Sequence, residues 1–248
     1  MRPLLPQNPL FRFFTFLFYE AVALPLLRLN DCAALGLRVR GRRNLRALRG
    51  KGAVLVCNHV HKLDCTFVGI LAAPRKVVFT AMAPLFRWKF IGPLIHILGA
   101  VPVPAHDAPP AEISSFIRQA ARAAARGRLV CVYPEGELVP YCRRLREMKG
   151  GAFLIAVRAR VPVVPIVVTG RECTGLRRAL GRRKPCPSVR AGAPVYPAAE
   201  RSPRRAAEDL RRRTLAAMRR MMENDTRGSG EPAGSAAAVS SGPKYSNS

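Results

Sequence analysis

The sequence predicts an α/β domain with a mostly parallel central sheet flanked by helices. Three observations point there. Short apolar runs rich in valine recur at 53–57, 129–133 and 163–168, the pattern of strands covered on both faces. Longer segments with helical periodicity stand between them, at 62–73, 112–126 and 149–159. Strand and helix alternate along the chain, the order that builds a parallel sheet with helices packed on it. A chain of 248 residues suits one such domain with appendages.

The chain opens on its most apolar stretch, residues 11–29, interrupted by Arg12, Glu20, Pro25 and Arg28. A clean spanning helix needs about 20 apolar residues. This stretch is short and carries charges, so it is expected to lie in a membrane interface or to enter one leaflet as a helical hairpin. Its Phe and Tyr residues suit the headgroup boundary. A core helix of the domain is the alternative. No small-x-small cleavage site comes after it, so it does not read as a signal peptide. Arg38, Arg40, Arg42, Arg43, Arg46 and Arg49 come directly after, and positive flanks stay on the cytoplasmic side. Residues 1–49 are therefore expected to be a membrane-associated helical segment with a basic flank, placing the protein at the cytoplasmic face of the cell membrane.

The domain proper is expected over 50–200. The strand 53–57 comes after Gly50-Lys51-Gly52. A helix over 62–73 is apolar at Leu63, Phe67, Ile70 and Leu71 and stops before Pro74. Residues 77–80 form a second strand. Residues 84–99 are apolar and aromatic, hold Trp88 and break at Gly92-Pro93; they form either a helix pair lining an apolar groove or plain core. Residues 100–104 are extended. In the helix 112–126, Ile113, Phe116, Ile117 and Ala120 share a face, and Gly127 ends it. The strand 129–133 runs into Pro134. After the helix 149–159 come strands at 163–168 and 189–191.

Ser202-Pro203 is a helix start, with a capping hydroxyl and proline in the first turn. The helix is expected to run to about residue 222, within a unit spanning 201–225. Ala207, Leu210, Thr214, Met218 and Met221 share a face, and seven arginines occupy the rest. Such a helix either lies on a membrane surface or packs on the domain. From Thr226 to 248 the Gly/Ser/Ala/Pro composition cannot bury enough apolar surface to fold, and disorder is expected.

The net charge of +27 speaks about partners: nucleic acid, an anionic membrane surface, or phosphorylated substrates. The chain lacks a basic surface interleaved with aromatics, so nucleic acid is not expected. The seven cysteines are odd in number and form no Cys-x-x-Cys pair, which argues against a disulfide framework and for reduced thiols.

The chemistry gathers at two strand ends. His59 comes just after a buried strand, and ligands bind where the strands of parallel sheets end. Asp64, in the first turns of the next helix, is within reach of it. A carboxylate there would fix the imidazole tautomer and stabilise the imidazolium, so His59 with Asp64 reads as a general base. Tyr133-Pro134-Glu135-Gly136 ends another strand and belongs at the same sheet edge. Gly136 lets the backbone approach a ligand closely, and Glu135 orders the loop or holds a substrate hydroxyl or cation. Arg143, Arg144, Arg146 and Lys149 come next, either as phosphate binders or as a solvated face. Cys57, His59, His61 and Cys65 are dense enough to raise a zinc site. No second ligand pair with zinc spacing accompanies them, so no metal is expected.

These residues resemble the motifs of the glycerolipid acyltransferases typified by 1-acylglycerol-3-phosphate acyltransferase. Asn-His, four residues, Asp matches Asn58, His59 and Asp64. An aromatic before Pro-Glu-Gly matches Tyr133, Pro134, Glu135 and Gly136, with Lys-x-Gly-Ala further on at Lys149, Gly151 and Ala152. Val-Pro-x-x-Pro matches Val161, Pro162 and Pro165. The blocks stand in the family's order over 50–168. The resemblance implies that His59, oriented by Asp64, deprotonates the hydroxyl of a lyso-lipid, which attacks the thioester of acyl-CoA or acyl carrier protein. It implies phosphatidic acid as product and no cofactor beyond the acyl donor. Asn58, Glu135, Gly136, Arg143, Arg144, Arg146 and Lys149 are the expected substrate-binding set. The expected partners are the lyso-lipid acceptor, the acyl donor and an anionic membrane surface. Two departures bear on the acceptor. Glu137 and Leu138 replace the usual Thr-Arg, and residues 99–104 lack the usual Arg. Either nearby arginines substitute for them, or the acceptor is another lysophospholipid or a lyso-amino-lipid. A thioester or lipid hydrolase using the same His59 is the remaining enzymatic alternative.

Overall fold

A computed structural model describes residues 9–82, 84, 86, 88, 89, 92, 100–105, 107–179, 181, 184–199 and 202–227. Seven strands form one sheet: β1 (Arg38–Arg40), β2 (Ala53–Cys57), β3 (Val77–Met82), β4 (Val101–Val103), β5 (Leu129–Val132), β6 (Val163–Arg171) and β7 (Cys186–Ala191). Their order is β1-β7-β6-β2-β5-β3-β4. Every neighbouring pair is parallel except β6 with β7. The α/β class with a mostly parallel sheet is thus as the alternation of elements predicts.

β2 lies in the middle because nothing along it needs water. All five of its residues are buried. Alternate side chains face opposite layers. Leu55 and Cys57 point to one core with Phe67, Ile70 and Leu71 of α4 (Asp64–Ala72). Val54 and Val56 point to the other. That second layer contains α5 (Pro110–Ala125), α6 (Gly151–Ala159) and a long C-terminal helix, Pro203–Arg227. Phe153, Leu210 and Met218 are fully buried there, each worth about 1.5–3 kcal/mol of transfer free energy. The edges carry β1, with two exposed arginines, and β4, with Pro102 at its centre. Charge and proline are what keeps sheet edges from pairing with other chains.

The C-terminal helix settles its two readings in favour of packing. Ala207, Leu210, Thr214 and Met218 are buried against the domain, as the shared face predicts. Its arginines pair along the outer surface, Arg211 with Glu208 and Arg213 with Asp209. The helix also runs further than expected. Thr226 and Arg227 are helical, because the packed turns before them carry the helix past the point where the composition turns to Gly, Ser, Ala and Pro. The rest of the expected disordered tail, 228–248, lies outside the described residues.

Two segments differ from expectation for reasons of long-range pairing. The basic flank after residue 37 supplies β1 and a short helix, α3 (Arg42–Arg46). Arg38↔Ser188 and Arg40↔Arg190 pair across to β7. The expected absence of disulfides is overturned at one place: Cys173 and Cys186 form one, with Cα atoms 5.3 Å apart. The antiparallel β6–β7 pair ends at Arg171↔Cys186 and brings the two cysteines together. Parity of the cysteine count is blind to such a juxtaposition.

At the N-terminus, α1 (Pro9–Phe18) and α2 (Leu24–Arg28) are α-helical, and Tyr19–Ala23 and Leu29–Ala34 are π-helical turns. The backbone stays right-handed through the junctions at Phe18, Ala23 and Arg28. Tyr19, Leu24 and Asp31 are buried against the domain. Asp31 receives hydrogen bonds from Asn30 and from Thr66 of α4, and burial raises its carboxyl above the usual carboxylate value. On the other side, Leu10, Phe13, Phe14, Leu17, Leu26 and Leu29 are exposed. Among the described residues no helix is long and apolar enough to cross a membrane. The segment 84–99, expected as a helix pair or as plain core, falls largely outside the described residues; Trp88, which is described, is exposed.

Candidate active site

The adjacent strands β2 and β5 end at the same edge of the sheet, in register Val56↔Val132. The two loops singled out in the sequence begin there, so His59 and Tyr133 meet. Their rings stack at 4.4 Å between centroids. The hydroxyl end of Tyr133 is buried, and burial pushes its phenol well above the usual value, so it stays protonated.

Asp64 opens α4 and is fully buried. Its Oδ2 accepts three hydrogen bonds: from His59 Nδ1 at 2.8 Å, from Val60 N at 2.8 Å and from His61 N at 2.9 Å. One carboxylate oxygen therefore shapes the turn and orients the histidine at once. Because Nδ1 donates to Asp64, the neutral ring keeps its lone pair on Nε2. His59 is partly exposed while its partner carboxylate is not. The geometry thus leaves Nε2 as the ring nitrogen able to accept a proton. His61 has the same type of constraint: its Nδ1 accepts from Leu63 N at 3.1 Å, so the proton of the neutral ring sits on Nε2.

Asn58, expected among the substrate-binding residues, is fully buried. Its amide donates to the Val168 carbonyl at 2.9 Å and accepts from Val168 N at 2.8 Å. The side chain prolongs the β2–β6 pairing by one step beyond the end of β2, which fixes where His59 leaves the sheet. Asn58→Ala orphans both buried groups of Val168 and is expected to cost about 2–4 kcal/mol. Chemical denaturation of the variant measures it; a wild-type midpoint would show that the bridge contributes nothing.

Glu135 is buried beneath the second loop. Its carboxylate receives Arg146 through Nε at 3.2 Å and through NH2 at 3.0 Å, and receives His59 N at 3.4 Å. The guanidinium of Arg146 also reaches the Glu137 carbonyl and carboxylate. Those three donors to Glu135 all share Oε2, while Oε1 accepts the Arg146 backbone N–H at 3.3 Å, so Glu135 ties the segment at Arg146 to the histidine's backbone. Gly136 turns the chain with φ +79°, and its α-carbon faces the Lys149 ammonium. A side chain there would meet that ammonium at 3.3 Å in a backbone conformation that favours glycine. Val139 N and Tyr141 N donate to the carbonyls of His59 and Val60, so the segment after Gly136 folds back over the His59–Asp64 turn.

Of the remaining expected cations, Arg144 is exposed, and Arg143 lines a cleft of about 280 Å3 beside Val60 and His61. Arg38, Arg40 and Arg171 line the same cleft. The sequence reads Arg38 and Arg40 as a basic flank on the cytoplasmic side and does not single out Arg171. Their convergence depends on pairings between residues more than a hundred positions apart. Among the described residues no three His, Cys, Asp or Glu side chains converge in a way that would hold a metal ion.

The Acyltransferase family model matches residues 36–169, more than half of the chain. A 1-acyl-sn-glycerol-3-phosphate acyltransferase of Bacillus subtilis (strain 168) is 29% identical over 139 residues, covering 54% of this chain and 63% of that protein. One from Cocos nucifera is 30% identical over 136 residues, covering 54% of this chain and 42% of that protein. The matched stretch thus spans less than two thirds of either relative's length. The crystal structure of the 1-acyl-sn-glycerophosphate (LPA) acyltransferase PlsC from Thermotoga maritima shares the fold, with a TM-score of 0.58, 20% identity and 87% of each chain covered.

Proposed function

The chain belongs to the Acyltransferase family, and on that premise we propose that it transfers an acyl group from a thioester donor to the free hydroxyl of 1-acylglycerol 3-phosphate, giving phosphatidic acid. The observation that carries this reading is the bond from His59 Nδ1 to the buried Asp64 carboxylate, which leaves Nε2 as the proton acceptor. In the reaction, Nε2 takes the hydroxyl proton as the acceptor oxygen attacks the thioester carbonyl carbon. The C–O bond forms and the carbonyl electrons move onto oxygen. The tetrahedral intermediate collapses, the C–S bond breaks, and the thiolate leaves with the proton from the imidazolium. Asp64 holds the ring through both steps and balances its positive charge.

The donor in this reading is acyl-CoA or acyl carrier protein, and the protein works at the cytoplasmic face of a membrane. Support for the membrane address comes from the exposed Leu10, Phe13, Phe14 and Leu17 on the N-terminal helical run and from the net charge of +27. Apolar side chains entering the headgroup boundary, together with attraction to anionic lipid, are what hold a monotopic protein at an interface. Lys149, whose ammonium stands beside Gly136, and Arg143, which lines the cleft beside Val60 and His61, are cations available to substrate phosphates in this reading.

An acceptor panel tests the reading. Membranes containing the protein receive labelled acyl-CoA or acyl carrier protein with lysophosphatidate, glycerol 3-phosphate, lysophosphatidylcholine or a lyso-amino-lipid. Labelled phosphatidic acid is expected from lysophosphatidate. Product from another acceptor alone would reassign the head group, and release of free fatty acid without any acceptor would make the protein a hydrolase.

A further inference from the structure

We propose that the cleft lined by Arg38, Arg40, Arg143 and Arg171 binds the phosphate end of the acyl donor's phosphopantetheine arm. The donor's identity rests on the acyl-transfer reading of His59; the anion-binding character of the cleft does not.

The cleft begins at Val60 and His61, immediately after the base, and extends across the sheet edge to β1. The path can be traced strand by strand. The Asn58 amide bonds to Val168 on β6. Next to it, Thr169 pairs with Ser188 on β7, and Ser188 pairs with Arg38 on β1. Each step across a sheet is about 4.8 Å, so the backbone of Arg38 lies roughly 14 Å from the end of β2. Arginine side chains shorten that span, but it remains long for an acceptor whose phosphate and hydroxyl sit on neighbouring carbons. It suits a donor whose thioester and phosphate are separated by the whole pantetheine arm.

The charge of the wall points the same way. Four arginines line the cleft against the carboxylates of Glu172 and Asp225. Asp225 belongs to the C-terminal helix and is anchored to one wall, 3.6 Å from Arg40 and 2.5 Å from Arg190, with the Thr169 hydroxyl at 3.3 Å. Arg40 on this wall is therefore paired within the protein. The Arg171 guanidinium donates to the Gly36 carbonyl at 2.6 Å, which fixes its position. The Arg38 guanidinium has no hydrogen-bond or ion-pair partner among the described residues and stands exposed at the mouth. Planar guanidinium groups converging from β1, from the end of β6 and from the loop after Gly136 suit the oxygens of a phosphate diester or diphosphate.

The test uses the full chain in phosphatidylcholine vesicles, with Arg38→Glu and Arg38→Gln compared to wild type after matched thermal unfolding. Arg38→Glu is expected to raise KM for acyl-CoA at least tenfold, ~1.4 kcal/mol, with a smaller rise for Arg38→Gln. KM for lysophosphatidate should stay near the wild-type value. With S-acyl-N-acetylcysteamine, a thioester that lacks the phosphates, the variants should match wild type. Calorimetric titration with free coenzyme A should show binding to wild type and its loss in Arg38→Glu. A rise in KM for lysophosphatidate with both thioesters would make the cleft an acceptor site and overturn the proposal. Unchanged acyl-CoA kinetics and coenzyme A binding would also overturn it. If wild type transfers no acyl group yet binds coenzyme A in an Arg38-dependent way, the cleft assignment stands and the reaction assigned to His59 fails.

Discussion

His59→Ala is expected to lower acyl transfer by about 10²–10⁴-fold, the usual contribution of a positioned general base. The loss should appear in kcat, because a general base acts on a proton that moves only as the reaction proceeds. The fold should survive. His59 is partly exposed, and its side chain contributes one bond to Asp64 and one ring face to Tyr133. Val60 N and His61 N still donate to the Asp64 carboxylate in the variant. Steady-state kinetics with a thermal unfolding curve separates the two effects. A folded His59→Ala protein with wild-type kcat would remove the base from the mechanism.

Asp64→Asn is expected to be nearly as damaging, and for two reasons. The amide lacks the negative charge that stabilises the imidazolium. It also brings a donor where three N–H groups converge on one oxygen. If the amide oxygen turns toward the donors, the turn persists and the loss is electrostatic, about 10²–10⁴-fold in kcat. If its NH2 faces His59, the ring is driven into the tautomer with its proton on Nε2, and the base is lost. Asp64→Ala should in addition unfold more easily, by about 1–3 kcal/mol for each buried N–H left without an acceptor. Asp64→Asn should therefore lose activity with a smaller loss of stability than Asp64→Ala. Equal unfolding midpoints for the two variants would show that the carboxylate oxygen does not hold the turn.

Much of this site is legible in the sequence because it is local. A buried five-residue strand, a histidine two residues past its end and an aspartate in the next helical turn all lie within a dozen positions. The second strand end, at Tyr133, is equally local. That both loops reach the same edge comes from the parallel order of the strands. The features that escape the sequence depend on distant pairing. The amide of Asn58 meets the backbone of Val168 across 110 positions. Arg38 and Arg40 look like a basic flank because a three-residue edge strand with exposed arginines carries no hydrophobic signature. Only pairing with β7 turns them toward Arg171 and Arg143. Arg146 reads as a phosphate binder by its charge, but in the fold its guanidinium holds Glu135. The Cys173–Cys186 bridge likewise exists only once β6 and β7 run side by side.

Direct acyl transfer to a lipid hydroxyl, driven by His59, has a signature that a single measurement can read. Purified protein in vesicles is mixed with labelled acyl-CoA, and free thiol is monitored with and without lysophosphatidate, for wild type and His59→Ala. Wild type is expected to release thiol only when the acceptor is present, with the label recovered in phosphatidic acid, and His59→Ala to do neither. Thiol release without acceptor, with label in free fatty acid or bound to the protein, would refute direct transfer.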